Sequence, residues 1–329
     1  MTVLTMLPSP KDGNVCVQVK PFETGLMTTP ASVLVGGAKA SCSATSWRFF
    51  VHHKEQNVKL WFDMGISSPP TLGKQDLDSY PKSVQGLHEH FRPQPAKRSL
   101  SEDTILTGTD PNNVNYVILS HGHWDHARPL PKGFESAIMV CGPGATLHHS
   151  PGYPQNPESP YDGRIWDSSL RTFTLYELPS TSDALHWTRI GPFPHALDFF
   201  GDESFFLISA PGHLPGNLAA LARVCDSQGR KKWVFLGGDC AHCNLFTYWP
   251  SMPFGRIPSA LMEHGTLHHD PAEARLTIQK ISQCKMQLGE DFLVWYAHSE
   301  LLEGQWEFED EKTIRHERSD SVSTNVSDD

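Results

Sequence analysis

The sequence has no dense cluster of basic residues and no long hydrophobic run. Its densest basic run is 230–232, and its 329 residues carry 37 Asp and Glu against 27 Lys and Arg, a formal net charge of −10. Because neutralising phosphates supplies most of the affinity for nucleic acids, this charge disfavours a nucleic-acid partner. The longest apolar stretches, such as 205–210 and 233–236, fall far short of the roughly 20 residues that a membrane helix needs, so we expect no membrane span.

Cysteine is sparse, and the seven cysteines follow no regular spacing. An odd number without a pattern favours a reducing compartment over a disulfide framework. The N-terminus lacks both the basic start and the apolar core of a secretory signal. Together these absences predict a cytoplasmic protein.

Low complexity is confined to the C-terminal end. Residues 309–329 contain almost nothing apolar to bury, which predicts a solvated, acidic tail. The remaining residues, 1–308, are predicted to form one domain.

Short runs of β-branched and aromatic residues predict strands, and 25 Gly and 26 Pro are spread between them. The predicted strands are 15–19, 32–35, 48–52, 58–62, 115–119, 137–141, 196–200, 205–209, 233–237 and 292–296. Apolar spacing predicts helices over 81–91 and 271–288. Asp270 suits the cap of the second helix and Pro271 its first position.

Histidine is what the sequence has in excess: there are 18. The segment 120–126, Ser-His-Gly-His-Trp-Asp-His, places four potential metal ligands within six residues, directly after an apolar strand. Neutral imidazole and carboxylate suit Zn²⁺ and similar borderline cations. A solvated polar loop is the alternative interpretation, but the density of ligands after a rigid strand favours a metal site.

Three more segments repeat the pattern of an apolar strand followed by a possible ligand. They end at His213, Asp239 and His298. A single histidine at the end of a strand is more often a core or rim residue. Three such segments together with 120–126 indicate one shared site.

In this order, the motifs His-Gly-His-Trp-Asp-His, Ala-Pro-Gly-His, Gly-Gly-Asp-Cys and Tyr-Ala-His-Ser resemble the four ligand motifs of the metallo-β-lactamase superfamily. The run 60–65, which contains Asp63, resembles an early strand of that family. The likeness covers roughly residues 15–300. It implies an α/β fold, the four-layer αβ/βα sandwich, with a dinuclear metal site at one edge.

The resemblance also implies a role for each ligand. One metal would be held by His121, His123 and His213, the second by Asp125, His126 and His298, and Asp239 would bridge the two. The implied cofactor is two Zn²⁺ ions, with iron or manganese as alternatives, and a bridging hydroxide would attack the substrate carbonyl. Asp63 would support a ligand from behind, although an ordinary turn carboxylate is the alternative.

Departures from the family's patterns narrow the chemistry. His123 stands where flavodiiron reductases have Glu, and Asp239 stands where several true β-lactamases have Cys. Quorum-lactone lactonases tend to carry Tyr shortly after the bridging Asp, and the nearest candidate here is His242. His242 and Asp125 are therefore the candidate catalytic residues, and an outward-facing loop position is the alternative for His242.

The substrate pocket is harder to predict. Aromatic and methionine side chains that follow the Asp239 motif are predicted to form apolar walls of the substrate pocket. They are Tyr248, Trp249, Met252 and Phe254. Packing in the core is the alternative interpretation. The pairs 148–149 and 268–269 are interpreted as loop histidines at the rim. Cys240 and Cys243 suit packing or the pocket better than a redox pair.

The sequence therefore predicts a hydrolase that opens a small lactone or lactam, similar to metallo-β-lactamase-like hydrolases of fungi. One alternative is a thioesterase of the glyoxalase II type, although the acidic residues 300–329 do not match the basic patch of those enzymes. An iron-dependent oxygenase on the same fold and a non-catalytic ligand-binding protein are two others. The expected partner is a small-molecule substrate, and no oligomeric state is predicted.

Overall fold

Two β-sheets share one core in the computed structural model, which describes residues 5–66, 82–94, 96–257 and 264–299. The first sheet consists of β1 (Gln18–Pro30), β2 (Ser41–His53), β3 (Val58–Phe62), β4 (Pro93–Gln94), β5 (Tyr116–Ile118), β6 (Ile138–Cys141) and β7 (Leu175–Glu177). Their spatial order is β4-β1-β2-β3-β5-β6-β7. Because β3, β5, β6 and β7 pair in parallel, their carboxyl ends lie along the same edge.

The second sheet consists of β8 (Thr188–Ile190), β9 (Phe193–Asp198), β10 (Phe205–Ser209), β11 (Leu218–Cys225), β12 (Lys231–Gly238) and β13 (Phe292–Tyr296). Their order is β13-β12-β11-β10-β9-β8. β12 and β13 are parallel, whereas β9 to β12 alternate in direction. The carboxyl ends of β10, β12 and β13 therefore lie on one side of this sheet.

The helices in the described residues are α1 (Lys82–Phe91), α2 (Leu100–Leu106), α3 (Ala145–His149), α4 (Gly163–Trp166), α5 (Leu245–Tyr248) and α6 (Pro271–Leu288). α6 begins as the sequence predicts: the Asp270 carboxylate accepts the N–H groups of Ala272 and Glu273, each at 3.0 Å. The helix predicted over 81–91 is confirmed: α1 covers residues 82–91.

Side chains that alternate along the strands divide the core into layers. Leu60 of β3 and Leu207 of β10 belong to the core between the sheets. Their neighbours point the other way: Trp61 packs in a cluster with residues of α2 to α4, and Ile208 packs with Ile278 of α6. Helices thus cover the outer face of each sheet, and the predicted four-layer αβ/βα sandwich is confirmed.

Two predicted strands near the N-terminus need correction. Residues Ala31–Val33 form a 3-10 helix where a strand was predicted at 32–35, because Pro30 ends β1 and the chain turns towards β2. The strand predicted at 15–19 overlaps only the beginning of β1, whose later residues mix polar side chains with buried apolar ones such as Phe22 and Met27. The predicted tail at 309–329 lies outside the described residues.

A disulfide joins Cys16 to Cys225, which the expectation of a reducing compartment did not include. Their Cα atoms are 6.1 Å apart, within the usual range for a disulfide. The N–H of Val17 donates to the carbonyl of Arg223 at 2.9 Å beside this link. Across the described ranges, no helix is long and apolar enough to cross a membrane.

Candidate metal centre

The possible metal ligands lie where the carboxyl ends of the two sheets meet. Loops after β5, β10, β12 and β13 carry them, as the sequence predicts. The N–H of Leu218 donates to the carbonyl of Ser120 at 2.7 Å, which ties one sheet to the other. Gly238 sits beside this contact with φ +47°, and a Cβ there would lie 2.7 Å from the Cβ of Ser120. Glycine is therefore needed for the close approach of the two loops.

Three imidazoles converge on one point. Nδ1 of His123 lies 3.0 Å from Nε2 of His121 and 2.9 Å from Nε2 of His213, and the latter two atoms are 3.2 Å apart. One N–H cannot satisfy three such contacts, since each ring nitrogen offers a single proton or a single lone pair. Around a tetrahedral ion with Zn–N bonds of ~2.0–2.1 Å, neighbouring nitrogens lie about 3.3 Å apart. The spacing fits a bound cation.

A second group lies next to the first. Oδ2 of Asp125 is 3.4 Å from Nε2 of His126 and 3.4 Å from Nε2 of His298. All three side chains are buried, and their ligand atoms lie within 4.8 Å of one another. One carboxylate and two imidazoles form a donor set that also suits zinc.

Asp239 connects the two groups. Its Oδ1 is 3.3 Å from His126 and 3.2 Å from His298, whereas its Oδ2 is 3.4 Å from His213. Nε2 of His126 and Oδ1 of Asp239 are buried without a hydrogen-bond partner. A bound metal ion would satisfy both atoms. The residues present therefore fit two cations that share one carboxylate.

The pKa values of the three histidines in the first group leave their rings unprotonated. Burial lowers the pKa of His121 and of His213 well below the usual histidine range, and it lowers the pKa of His123 to about 4. These imidazoles are therefore neutral at physiological pH. Each has a lone pair available for a metal.

In the second group, neighbouring charges outweigh the effect of burial on the pKa values. Burial alone lowers the pKa of His126, but Asp125, Asp239 and Asp63 outweigh it and raise that pKa well above the usual range. Burial raises the pKa of Asp239, and His298, His126 and His242 outweigh it, so that this pKa lies well below its usual range. The carboxylates thus attract positive charge, which a proton or a metal ion can supply.

Asp63 lies directly behind the second group, as its motif predicts. Its Oδ1 accepts the N–H of Ser120 at 2.7 Å, and its Oδ2 accepts the Ser120 hydroxyl at 2.8 Å. The same Oδ2 lies 2.8 Å from Nδ1 of His126, so Nε2 of that ring faces Asp125 and Asp239. A carboxylate on the far nitrogen is a common support for a metal-binding imidazole.

His242 faces the centre. Its Nε2 lies 3.1 Å from Oδ2 of Asp239, and its ring stacks on His298 at a centroid distance of 5.8 Å and an angle of 9°. It is buried and lines the small cavity beside the ligands. A proton-transfer or substrate-binding role for this residue fits its position and remains a proposal.

His268 is the residue of the site that sequence reasoning missed. It is buried, its ring lies 5.5 Å from that of His213 and 5.0 Å from that of His242, and Phe254 contacts it at 4.5 Å. The N–H of His269 donates to the carbonyl of His213 at 2.9 Å, which brings the segment here. Sequence spacing carries no signal for such a distant backbone contact.

The cavity at the centre has other walls than those predicted. Its volume is about 50 Å³, and its apolar lining is Met27, Leu34, Ala44, Leu87, Phe91, Trp124 and Leu267. Among the described residues, none of the four predicted wall residues lines it. α5 turns Phe246 inward and leaves Tyr248 and Trp249 more than half exposed, whereas Met252 packs at the core and Phe254 reaches His268.

Comparison with known proteins agrees with this architecture. Gamma-lactamase MBL2 of Gibberella moniliformis is 30% identical over 223 residues, which are 66% of this chain and 85% of that protein. The chain belongs to the metallo-β-lactamase superfamily. Metallo-hydrolase mfmC of Annulohypoxylon moriforme is 33% identical to this superfamily member over 228 residues, 68% of this chain and 54% of that protein. No family model matches the chain.

A solved structure shares the fold of this metallo-β-lactamase superfamily member. AiiA of B. thuringiensis, with N-decanoyl-L-homoserine bound at its active site, superposes with a TM-score of 0.58 and 14% sequence identity. The alignment covers 93% of this chain and 97% of that one. The chain spans about half the length of mfmC, and between 29% and 57% of four other curated relatives that it matches.

Proposed function

We propose that this metallo-β-lactamase superfamily member is a dinuclear metal-dependent hydrolase that opens a small lactone or lactam. The observation that carries the proposal is the Asp239 carboxylate, which directs one oxygen to each group of ligands. The name of the gamma-lactamase relative and the homoserine derivative in AiiA support a cyclic amide or ester as substrate. Zinc is the proposed metal, because the donors are imidazoles and carboxylates.

Two cations, when bound, supply the activation of water and the polarisation of the substrate carbonyl. The residues of the chain would hold the two ions and balance part of their charge. His121, His123 and His213 are neutral by burial and would hold the first ion without adding charge. Asp125, His126 and His298 would hold the second, and the two carboxylates of the centre balance part of its charge.

His242 is the proposed proton donor. Its Nε2 lies 3.1 Å from Oδ2 of Asp239 and it lines the small cavity at the centre, where it would protonate the leaving oxygen or nitrogen of an opened ring. Proton transfer by a positioned side chain contributes roughly 10²- to 10⁴-fold to rate. Trp124 and Met27 are among the apolar residues that line the same cavity.

The test is a substrate panel on the zinc-loaded protein, made of simple lactones, lactams and acyl thioesters, with oxygen uptake followed in parallel. The proposal expects ring opening, and it expects His242→Ala to keep its zinc while kcat falls about 100-fold. Asp239→Ala should lose both zinc and turnover. Preferential thioester cleavage would favour the glyoxalase II-type alternative, and oxygen consumption would favour the oxygenase.

A further inference from the structure

The space at the metal centre is too small for a whole substrate. The cavity beside Asp239 and His242 has a volume of about 50 Å³. A second cavity of about 320 Å³ adjoins it and shares the walls formed by Leu87, His123 and Trp124. Pockets for small molecules usually measure about 300–1,000 Å³. Among the described residues, the second cavity therefore offers room for the non-reacting part of a substrate, and we call it the histidine–tyrosine pocket.

One wall of this pocket is made of aromatic rings with polar edges. Nε2 of His148 lies 3.1 Å from the hydroxyl of Tyr161. The ring of His269 lies 5.3 Å from that of His148 and 5.6 Å from that of His264. Together these rings offer several hydrogen-bonding atoms to one ligand.

The wall carries little charge. Burial, together with nearby His269, lowers the pKa of His148, and burial raises the pKa of Tyr161, so that both groups are neutral at physiological pH. Among the described residues that line the pocket, none is Asp, Glu, Lys or Arg. The described lining offers an ionised ligand no carboxylate, ammonium or guanidinium group as a partner, and an uncharged ligand loses less on leaving water.

Much of the remaining lining of the pocket is apolar. The apolar side chains among the lining residues are Leu87, Trp124, Pro160, Leu214 and Leu267. A pocket lined by apolar side chains and by aromatic rings with polar edges accepts a flat group, which stacks with its faces and hydrogen-bonds with its edge.

The polar wall is fixed relative to the metal centre. The carbonyl of Tyr161 accepts the N–H of Tyr153 at 2.8 Å, and the Tyr161 ring contacts that of His149 at 4.2 Å. The N–H of His269 donates to the carbonyl of His213, one of the proposed ligands, at 2.9 Å. A ligand in the pocket is therefore held at a set distance from the reacting carbonyl.

We propose that the histidine–tyrosine pocket binds an uncharged, planar substituent of the substrate that carries a hydrogen-bonding oxygen or nitrogen. An aryl, heteroaryl or amide group has this chemistry. Tyr161 and His148 are the residues that select it. The assignment of this group to a substrate rests on the proposed hydrolase function, whereas the pocket's affinity for such a group does not.

The direct test is binding of 4-hydroxybenzamide, an uncharged planar probe, measured by isothermal titration calorimetry on the zinc-loaded protein. Tyr161→Phe removes one hydroxyl and should weaken binding about fivefold to tenfold, the value of one hydrogen bond. Tyr176→Phe is the matched control, because Tyr176 is half exposed on β7 and does not line this pocket. The control should bind as the wild type does.

His148→Ala is the second variant and should also weaken binding, so a folding defect in one variant leaves the other informative. Absence of probe binding to the wild type, or equal binding by both variants and the wild type, would overturn the proposal. Loss of binding in the two variants supports the pocket even if no lactone or lactam is hydrolysed; that pair of results would refute only the hydrolase function. If rings are opened, Tyr161→Phe should lower kcat/KM for rings with an aryl amide substituent and spare unsubstituted rings.

Discussion

Oδ2 of Asp63 lies 2.8 Å from Nδ1 of His126, so a residue at the end of β3 orients an imidazole of the metal centre. Asp63 itself adopts the left-handed backbone conformation, with φ +64°. A residue other than glycine is uncommon there, and Asp and Asn tolerate the conformation better than most. The chain thus places a carboxylate at a position where the backbone favours few other side chains.

Asp63→Asn should therefore weaken the second metal site without unfolding the chain. Asparagine keeps the shape and the backbone conformation but removes the charge that orients His126. Loss of such a supporting group typically costs about 10- to 100-fold in metal affinity. Competition with a zinc chelator measures this, and unchanged affinity for both ions would show that Asp63 is an ordinary turn residue.

Removing His268 should loosen the first metal site. Nδ1 of His268 and Nδ1 of His213 are both buried without a hydrogen-bond partner, and the rings of His213 and His242 pack against His268. His268→Gln should lower zinc affinity about tenfold. The control is His90→Gln on the exposed side of α1, which should change nothing. Equal zinc affinity in both variants would contradict this packing role.

Gly122 in the ligand loop should tolerate no side chain. A Cβ there would lie 2.4 Å from Nε2 of His149, whose ring is held by a 4.2 Å stack on Trp166. Gly122→Ala should displace His121 and His123 and lower zinc affinity at least tenfold. The double variant with His149→Ala makes room for the methyl group and should recover part of the affinity. No recovery would mean that the backbone, and not the clash, is responsible.

The buried ion pair of Arg48 and Asp103 should control stability rather than metal binding. Neither side chain is exposed to solvent, and burial lowers the pKa of Arg48 despite its partner. Asp103→Ala leaves a buried guanidinium unpaired and should cost about 3–5 kcal/mol in the free energy of unfolding. Lys11→Ala breaks the exposed pair with Asp291 and should cost less than about 1 kcal/mol. Urea denaturation distinguishes the two.

Zinc binding should release protons. Burial lowers the pKa of His126 and of His298, but the neighbouring carboxylates outweigh it and raise both pKa values, so an ion must compete with protons that these rings bind more tightly than free histidine does. Affinity should therefore fall as the pH falls, by about tenfold per unit for each proton displaced. Calorimetry in buffers of different ionisation enthalpy counts the protons. Proton uptake, or an affinity that rises as the pH falls, would contradict this assignment.

The ligand loops were predictable because their signal is local. Four possible ligands follow β5 within six residues, and three more strands, all in the second sheet, end in a possible ligand, so the motifs could be recognised in the sequence. Their meeting across the two sheets, as for His126 and Asp239, was implied by the family resemblance. His268, Tyr161 and the link between Cys16 and Cys225 depend on contacts between distant segments, which spacing along the chain does not encode. Among the described residues, the four predicted wall residues do not line the central cavity, and their part in substrate binding stays a prediction.

Zinc stoichiometry tests the central claim most directly. Equilibrium dialysis of the wild type against zinc, followed by plasma mass spectrometry, should give two equivalents per chain. Asp239→Ala should give fewer than two, because each group of ligands loses one of its oxygens. A wild-type protein that holds no zinc or only one equivalent, or an Asp239→Ala variant that still holds two, would contradict the account of a shared carboxylate between two ions.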